Sequence, residues 1–279
     1  MSSMVSFDGW PLTGTSPAGG RNRTLSIDGW LAKTLRRSRQ PRAGQDGNWA
    51  STGRVEGKTI TIKGTTVYAS ATDAAIERRQ MLALGGRGLT ELMIEDAALT
   101  LTAQVELDAV DARVVRDTMV EFTITVHAPD PVLYGPPVTA STGLADIAGT
   151  GRVWPRVWPR DWGVPAGVTP GSIAVPNAGT TAYWPTGRID GPIINPVVTL
   201  NETGDWIRIN RTVDAGQWLD IDFGSRRVML NGTVPLTYAV TFSGQWLAVP
   251  VGGASISIAA DDADPAALLT ISAFEGAYE

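Results

Sequence analysis

Asp220 and Asp222 stand two apart in Trp218-Leu-Asp-Ile-Asp222. On an extended strand that spacing turns both carboxylates to one side. A pair of carboxylates flanking a cleft is what a glycosidase uses. Leu219, Ile221 and Phe223 alternate with them, however, and a strand that buries one face accounts for the pattern without any reaction. Asp261-Asp-Ala-Asp264 offers hard oxygen ligands, but it lacks the glycine and the distal glutamate of a calcium loop and reads as a polar connection. Gly53-Arg-Val-Glu-Gly-Lys-Thr59 is one residue short of a phosphate loop and precedes a strand. The chain has no cysteine and a single histidine, His127. Thiol catalysis, disulfides and cysteine metal sites are thereby excluded, and no histidine cluster can form. The expectation is a protein that is not an enzyme and carries no cofactor and no metal.

Two other residue sets could bind. Arg36, Arg37, Arg39 and Arg42 fall within seven residues of a polar stretch from Lys33 to Gly57. They suit a solvated loop, an arm pairing with an acidic neighbour, or a phosphate contact. The first 135 residues carry 15 basic and 15 acidic side chains, and residues 136–279 carry the whole net charge of −5. A neutral surrounding domain favours a protein partner over nucleic acid, so these arginines are the candidate subunit or partner interface. The second set comes from ten tryptophans. Trp154 and Trp158 fall in a short Val-Trp-Pro-Arg duplication and Trp162 follows it; Trp184, Trp206, Trp218 and Trp246 come later. Exposed rings in a β-sandwich can stack on sugars, which makes Trp184, Trp206 and Trp218 candidate glycan contacts and a carbohydrate-binding module or host-surface adhesin the competing reading. Core and interface packing is the preferred one.

The elements that would hold these residues are mostly strands. Thr59–Lys63, residues 89–94, Leu99–Leu107 and Thr118–Val126 are expected strands, the third alternating over nine residues. Thr72–Gly85 reads as the one helix, with Ile76, Gln80 and Leu84 on its buried stripe and a cap at Thr72 or Asp73. Four prolines in Ala128–Pro137 mark a boundary. Strands resume at Ser172–Val175, and Ala182–Ile189, Leu219–Phe223, Val228–Leu230, Leu236–Phe242, Ala254–Ala259 and Leu268–Phe274 follow at the spacing of an antiparallel sandwich. The expected division is a first domain at 1–135, a proline- and tryptophan-rich linker at 136–169, and a second domain at 170–279. No run reaches membrane-spanning length and the first residues lack a secretory pattern.

The order Gly187–Pro196, Thr203–Asn210, Asp214–Phe223 and Arg226–Gly232 resembles the C-terminal domain of the distal tail proteins of long-tailed bacteriophages, the siphovirus-type tail component (Dit) family. Leu25-Ser-Ile-Asp-Gly29, the basic loop, the helix, and Val126-His-Ala-Pro-Asp-Pro-Val-Leu-Tyr134 extend the resemblance to the N-terminal part. It implies a mainly β chain: a tail-tube-like β-sandwich with one helix, followed by a galectin-like antiparallel sandwich. It further implies a structural virion protein at the distal end of the tail, made in the host cytoplasm. Copies would form a hexameric ring between the tail-tube protein and the tail-tip or baseplate hub, with receptor-binding protein or host glycan as further partners.

Overall fold

The computed structural model describes residues 4–86, 88–95, 99–144 and 171–279. The Val-Trp-Pro-Arg duplication, and the segment between 145 and 169 that composition marks as linker, lie outside the described residues. The chain is mainly β, with a single α-helix among the described residues. It divides into two compact units, residues 1–136 with Tyr278 and Glu279, and residues 137–277.

The first unit is an antiparallel sheet in the order β1 (Met4–Phe7), β8 (Thr90–Glu95), β9 (Thr100–Arg116), β10 (Met119–Ala128), β7 (Lys58–Val67), β2 (Arg21–Asp28). Strand β9 does two jobs. Its first six residues pair with β8 and the remainder pairs with β10, with an irregularity between Leu107 and Ala109. A bulge at that point bends the strand, so one strand serves both halves of the sheet. Inward positions alternate: Ile60 and Ile62, Leu92 and Ile94, Val120, Phe122, Ile124 and Val126 form the core with Phe7. The sequence pattern stops at Leu107, yet β9 runs on to Arg116. Beyond Leu107 β9 itself is largely exposed, with Ala112 its one buried residue, and a strand with almost no buried face has no apolar alternation to detect.

Helix α1 spans Ala71–Met81 and is capped by Ser70, whose side chain accepts from the Asp73 backbone N–H at 3.2 Å. The cap therefore lies two or three residues ahead of the position expected. The buried stripe is also different: Ala74, Glu77 and Met81 face inward, while Ile76 is 47% exposed. Glu77 is fully buried and accepts a 2.7 Å hydrogen bond from the Ser16 hydroxyl. A partnered carboxylate in the inward stripe inverts the reading that apolar periodicity gives.

Between β2 and β7 the expected polar loop is a β-hairpin arm. Strands β3 (Leu35–Arg36) and β6 (Arg54–Val55) pair at its base, and β4 (Gln40–Pro41) and β5 (Asn48–Trp49) pair farther out.

In the second unit a six-stranded sheet runs β11 (Pro137–Gly143), β20 (Leu268–Phe274), β13 (Thr186–Asp190), β16 (Trp218–Asp222), β17 (Arg227–Leu230) and the short edge pair Val234–Pro235. A five-stranded sheet runs β12 (Ser172–Val175), β19 (Ala254–Ala259), β14 (Val197–Leu200), β15 (Asp205–Ile209), β18 (Val240–Phe242). Ile189, Leu219, Ile221, Val228 and Ile271 bury one face of the first sheet; Val198, Leu200, Ile207, Ile209 and Ile256 bury one face of the second. Two antiparallel sheets with alternating apolar faces are the make-up of a β-sandwich. Residues 137–143 correct the expectation of a linker beginning at 136, since β11 pairs with β20 over its whole length. As an edge strand it buries only Thr142 completely, and proline is tolerated at its first position, so composition disguised it.

Candidate functional site

Two surfaces gather the residues that could act. The first is the arm. Every residue from 31 to 52 is exposed. Leu31 is 78% and Trp49 63% accessible. The arm is held by contacts with itself. The Arg42 guanidinium sits 5.1 Å from the Trp49 ring centroid, and the Ser51 hydroxyl donates to the Ser38 carbonyl. Near its base Arg36 lies 3.8 Å from Glu56. All four candidate arginines are on this arm, and none is buried.

At the foot of the arm the chain turns inward. Lys58, first residue of β7, is buried and donates to the Trp30 carbonyl at 3.3 Å. Burial lowers its pKa from the ordinary lysine value, against the opposing pull of Asp130 and Glu279.

The second surface is the polar face of the six-stranded sheet. Pairing aligns Arg188 with Asp220, and Thr186 with Asp222 on one side and Ser272 on the other. These residues, with Arg227, line a groove of about 380 Å³. Asp220 and Asp222 do share this face, as their spacing predicted, with Leu219, Ile221 and Phe223 buried behind them. Trp218 organises its neighbours: its indole N–H donates to Asp220 at 2.9 Å, and the Arg188 guanidinium covers its ring at 4.5 Å. Arg188 also donates to Asp190 at 2.9 Å. Asp222 accepts the backbone N–H groups of Gly224 and Ser225 at 3.0 and 2.9 Å. Partial burial works against its charge, but those hydrogen bonds and Arg227 outweigh burial and hold its pKa below the ordinary carboxylate value.

Trp184 is 54% exposed, and its Cβ lies 3.3 Å from where a side chain on Gly224 would begin, so it stands at the Asp222 end of the groove. Trp206 is elsewhere, on β15 in the other sheet. None of the three candidate glycan-contact tryptophans lines the groove itself: Trp218 borders it through Arg188 and Asp220, Trp184 stands beside its Asp222 end, and Trp206 is apart from it. Arg188, Arg227, Thr186 and Ser272 escaped sequence reasoning. Their only signal is that each alternates with an inward residue, and pairing alone reveals that they are neighbours.

The Asp261 run is accounted for without a cation. Asp261 accepts from Asn195 at 2.8 Å and pairs with Arg208 at 2.5 Å, while Asp264 caps the Ala266 N–H at 2.8 Å. Among the described residues no group of histidine, cysteine and acidic side chains could hold a metal ion, and no helix is long and apolar enough to cross a membrane.

Residues 178–272, about a third of the chain and including the whole groove, match the family described as siphovirus-type tail component, C-terminal domain. This stretch is similar to a siphovirus tail-component domain. The tail-component likeness in fold extends along the rest of the chain. The SPP1 Dit (gp 19.1) protein, a hub adsorption apparatus protein of phages that infect Gram-positive hosts, aligns over 98% of this chain and 99% of its own at 14% identity, with a TM-score of 0.62. A chain of the phage P2 baseplate in its calcium-activated conformation aligns over 99% and 100% at 13% identity and a TM-score of 0.53. The strontium form of the p2 baseplate gives 97% and 97%, 12% identity and 0.54. At such identities the likeness speaks for a shared fold. No curated protein matches the chain in sequence.

Proposed function

We propose that the chain is a structural protein of a phage tail tip: a distal tail subunit that assembles head-to-tail into a hexameric ring. The ring would join the tail tube to the tail-tip or baseplate hub and offer a platform to receptor-binding components. Its work would be mechanical, placing surfaces around a channel, and would need no reactive group. The tail-component domain at 178–272 and the full-length fold likeness support a tail-tip role.

The single observation that carries the assembly reading is the arm. A closed cyclic ring needs two different complementary patches on each subunit. A hairpin exposed along its whole length, with arginines beside an exposed tryptophan and leucine, has the composition of an interface anchor. The arm's place would be on a neighbouring copy.

Native mass spectrometry of the purified protein tests this. A hexamer is expected for the full chain. Replacing residues 37–52 by a short Gly-Ser turn is expected to return it to monomer while leaving the melting temperature within a few degrees, because no core residue is removed. A wild-type chain that stays monomeric at every concentration would sink the ring reading.

A further inference from the structure

The polar groove on the six-stranded sheet is separate from the arm on which the ring reading rests, and its construction is specific. Along β16 the order Trp218, Asp220, Asp222 places three outward side chains in a row, and Trp184 continues the line beyond Asp222. Four residues of strand span about 13 Å, a length suited to a few linked sugar rings. The floor carries both signs, Arg188 and Arg227 against Asp220 and Asp222, with Asp190 beside it on Arg188. A phosphate-rich polymer would meet three carboxylates there, and a cation would meet two guanidinium groups. A hydroxyl, which donates and accepts, can use both kinds at once. A protein interface of this size would want an apolar centre, and Met229 is the sole large apolar side chain in the lining that points outward.

The two tryptophans have different parts. Trp218 is already occupied, one face under Arg188 and its N–H on Asp220, so it fixes those two groups in position. Trp184 offers a ring more than half exposed at the end of the row. Aromatic platform, charged hydrogen-bonding groups of both signs and a pre-set geometry are the parts of a saccharide subsite. We infer that this face of the tail-component domain binds an uncharged polysaccharide, with Trp184 stacking on a sugar ring and Arg188, Asp220, Asp222 and Arg227 hydrogen-bonding its hydroxyls. The inference does not depend on the ring, because every residue in it belongs to one copy of the domain.

The test uses the full-length protein on an array of neutral oligosaccharides built from glucose, galactose, rhamnose and N-acetylhexosamine, with poly(glycerol phosphate) as the anionic control. Capture on at least one neutral glycan is expected. Trp184→Ala and Asp220→Asn should each weaken it about tenfold, roughly the weight of one good ring or charged contact. Trp206→Ala should leave it unchanged, and thermal melting of each variant confirms that folding is retained. Capture confined to the anionic polymer, no capture at all, or full retention by both groove variants would overturn the proposal. So would protection of Trp184 from N-bromosuccinimide in the protein alone, which would mean that another polypeptide occupies the groove.

Discussion

Single side chains decide more of this molecule than their chemistry suggests. Asn177 is 98% buried, and its amide donates to the carbonyls of Thr181, Val249 and Pro250 while its oxygen accepts from the backbone N–H groups of Gly179 and Ala277. Five backbone groups from three segments of the chain converge on one side chain. Asn177→Ala leaves them without that partner in a place water does not easily reach, so a loss of about 3 kcal/mol or more is expected. In calorimetry this should appear as a fall in melting temperature on the order of 10 °C. Asp222 acts at the surface in a gentler way. Its folded pKa lies below the ordinary 3.8, so its contribution to stability is present above the unfolded value and is lost as pH falls through the folded one. Asp222→Asn keeps an oxygen for the Gly224 and Ser225 N–H groups but has no proton to gain. Melting temperatures measured down to about pH 3 should therefore fall less steeply in that variant than in the wild type. An equal slope would show that the hydrogen-bonded turn does not hold the carboxylate's charge.

At the scale of elements, the helix and the arm show how the same rule succeeds and fails. Apolar periodicity located α1 closely but picked the wrong face, because Glu77, paired with Ser16, occupies a stripe that the pattern reserves for apolar residues. The arm gave no strand signal at all. Its ladder hydrogen bonds are satisfied within the hairpin, but neither face is buried by its own chain, so nothing constrains its side chains to alternate. A segment of this kind is legible only as a composition: arginine-rich, neutral in its surroundings, and too long to be idle. Its mode of attachment follows from that composition. If the arm docks through arginines onto acidic groups of the next subunit, screening should weaken the assembly. Raising ionic strength from about 0.1 M to 1 M shortens the Debye length from about 10 Å to 3 Å. Analytical ultracentrifugation should then show a shift from ring toward monomer, and more strongly for Arg42→Ala than for the wild type, since Arg42 also braces Trp49. A ring indifferent to salt would assign the docking to Trp49 and Leu35 instead.

For the molecule as a whole, ring and groove would reinforce each other. A single shallow saccharide site is weak, and a ring of identical copies presents it many times, which raises avidity without any new contact. What the amino-acid order settles alone is the class and the exclusion of thiol and histidine-cluster chemistry. Strict alternation at Leu99–Leu107, Leu219–Phe223 and Ala254–Ala259, the proline boundary near 128–137, the absence of cysteine and a lone histidine require a β-rich chain in two parts with no thiol or histidine cluster. Those features are local, and burial of one strand face writes itself into every second residue. What tertiary structure decided is whatever depends on which strands lie side by side. Register sets Arg188 beside Asp220 and Thr186 between Asp222 and Ser272, although some thirty to eighty residues separate them along the chain. It sends Trp206 to the other sheet and recruits residues 137–143 as an edge strand. Outward positions carry no burial constraint, so no local pattern records their neighbours, and only the paired sheet brings them together.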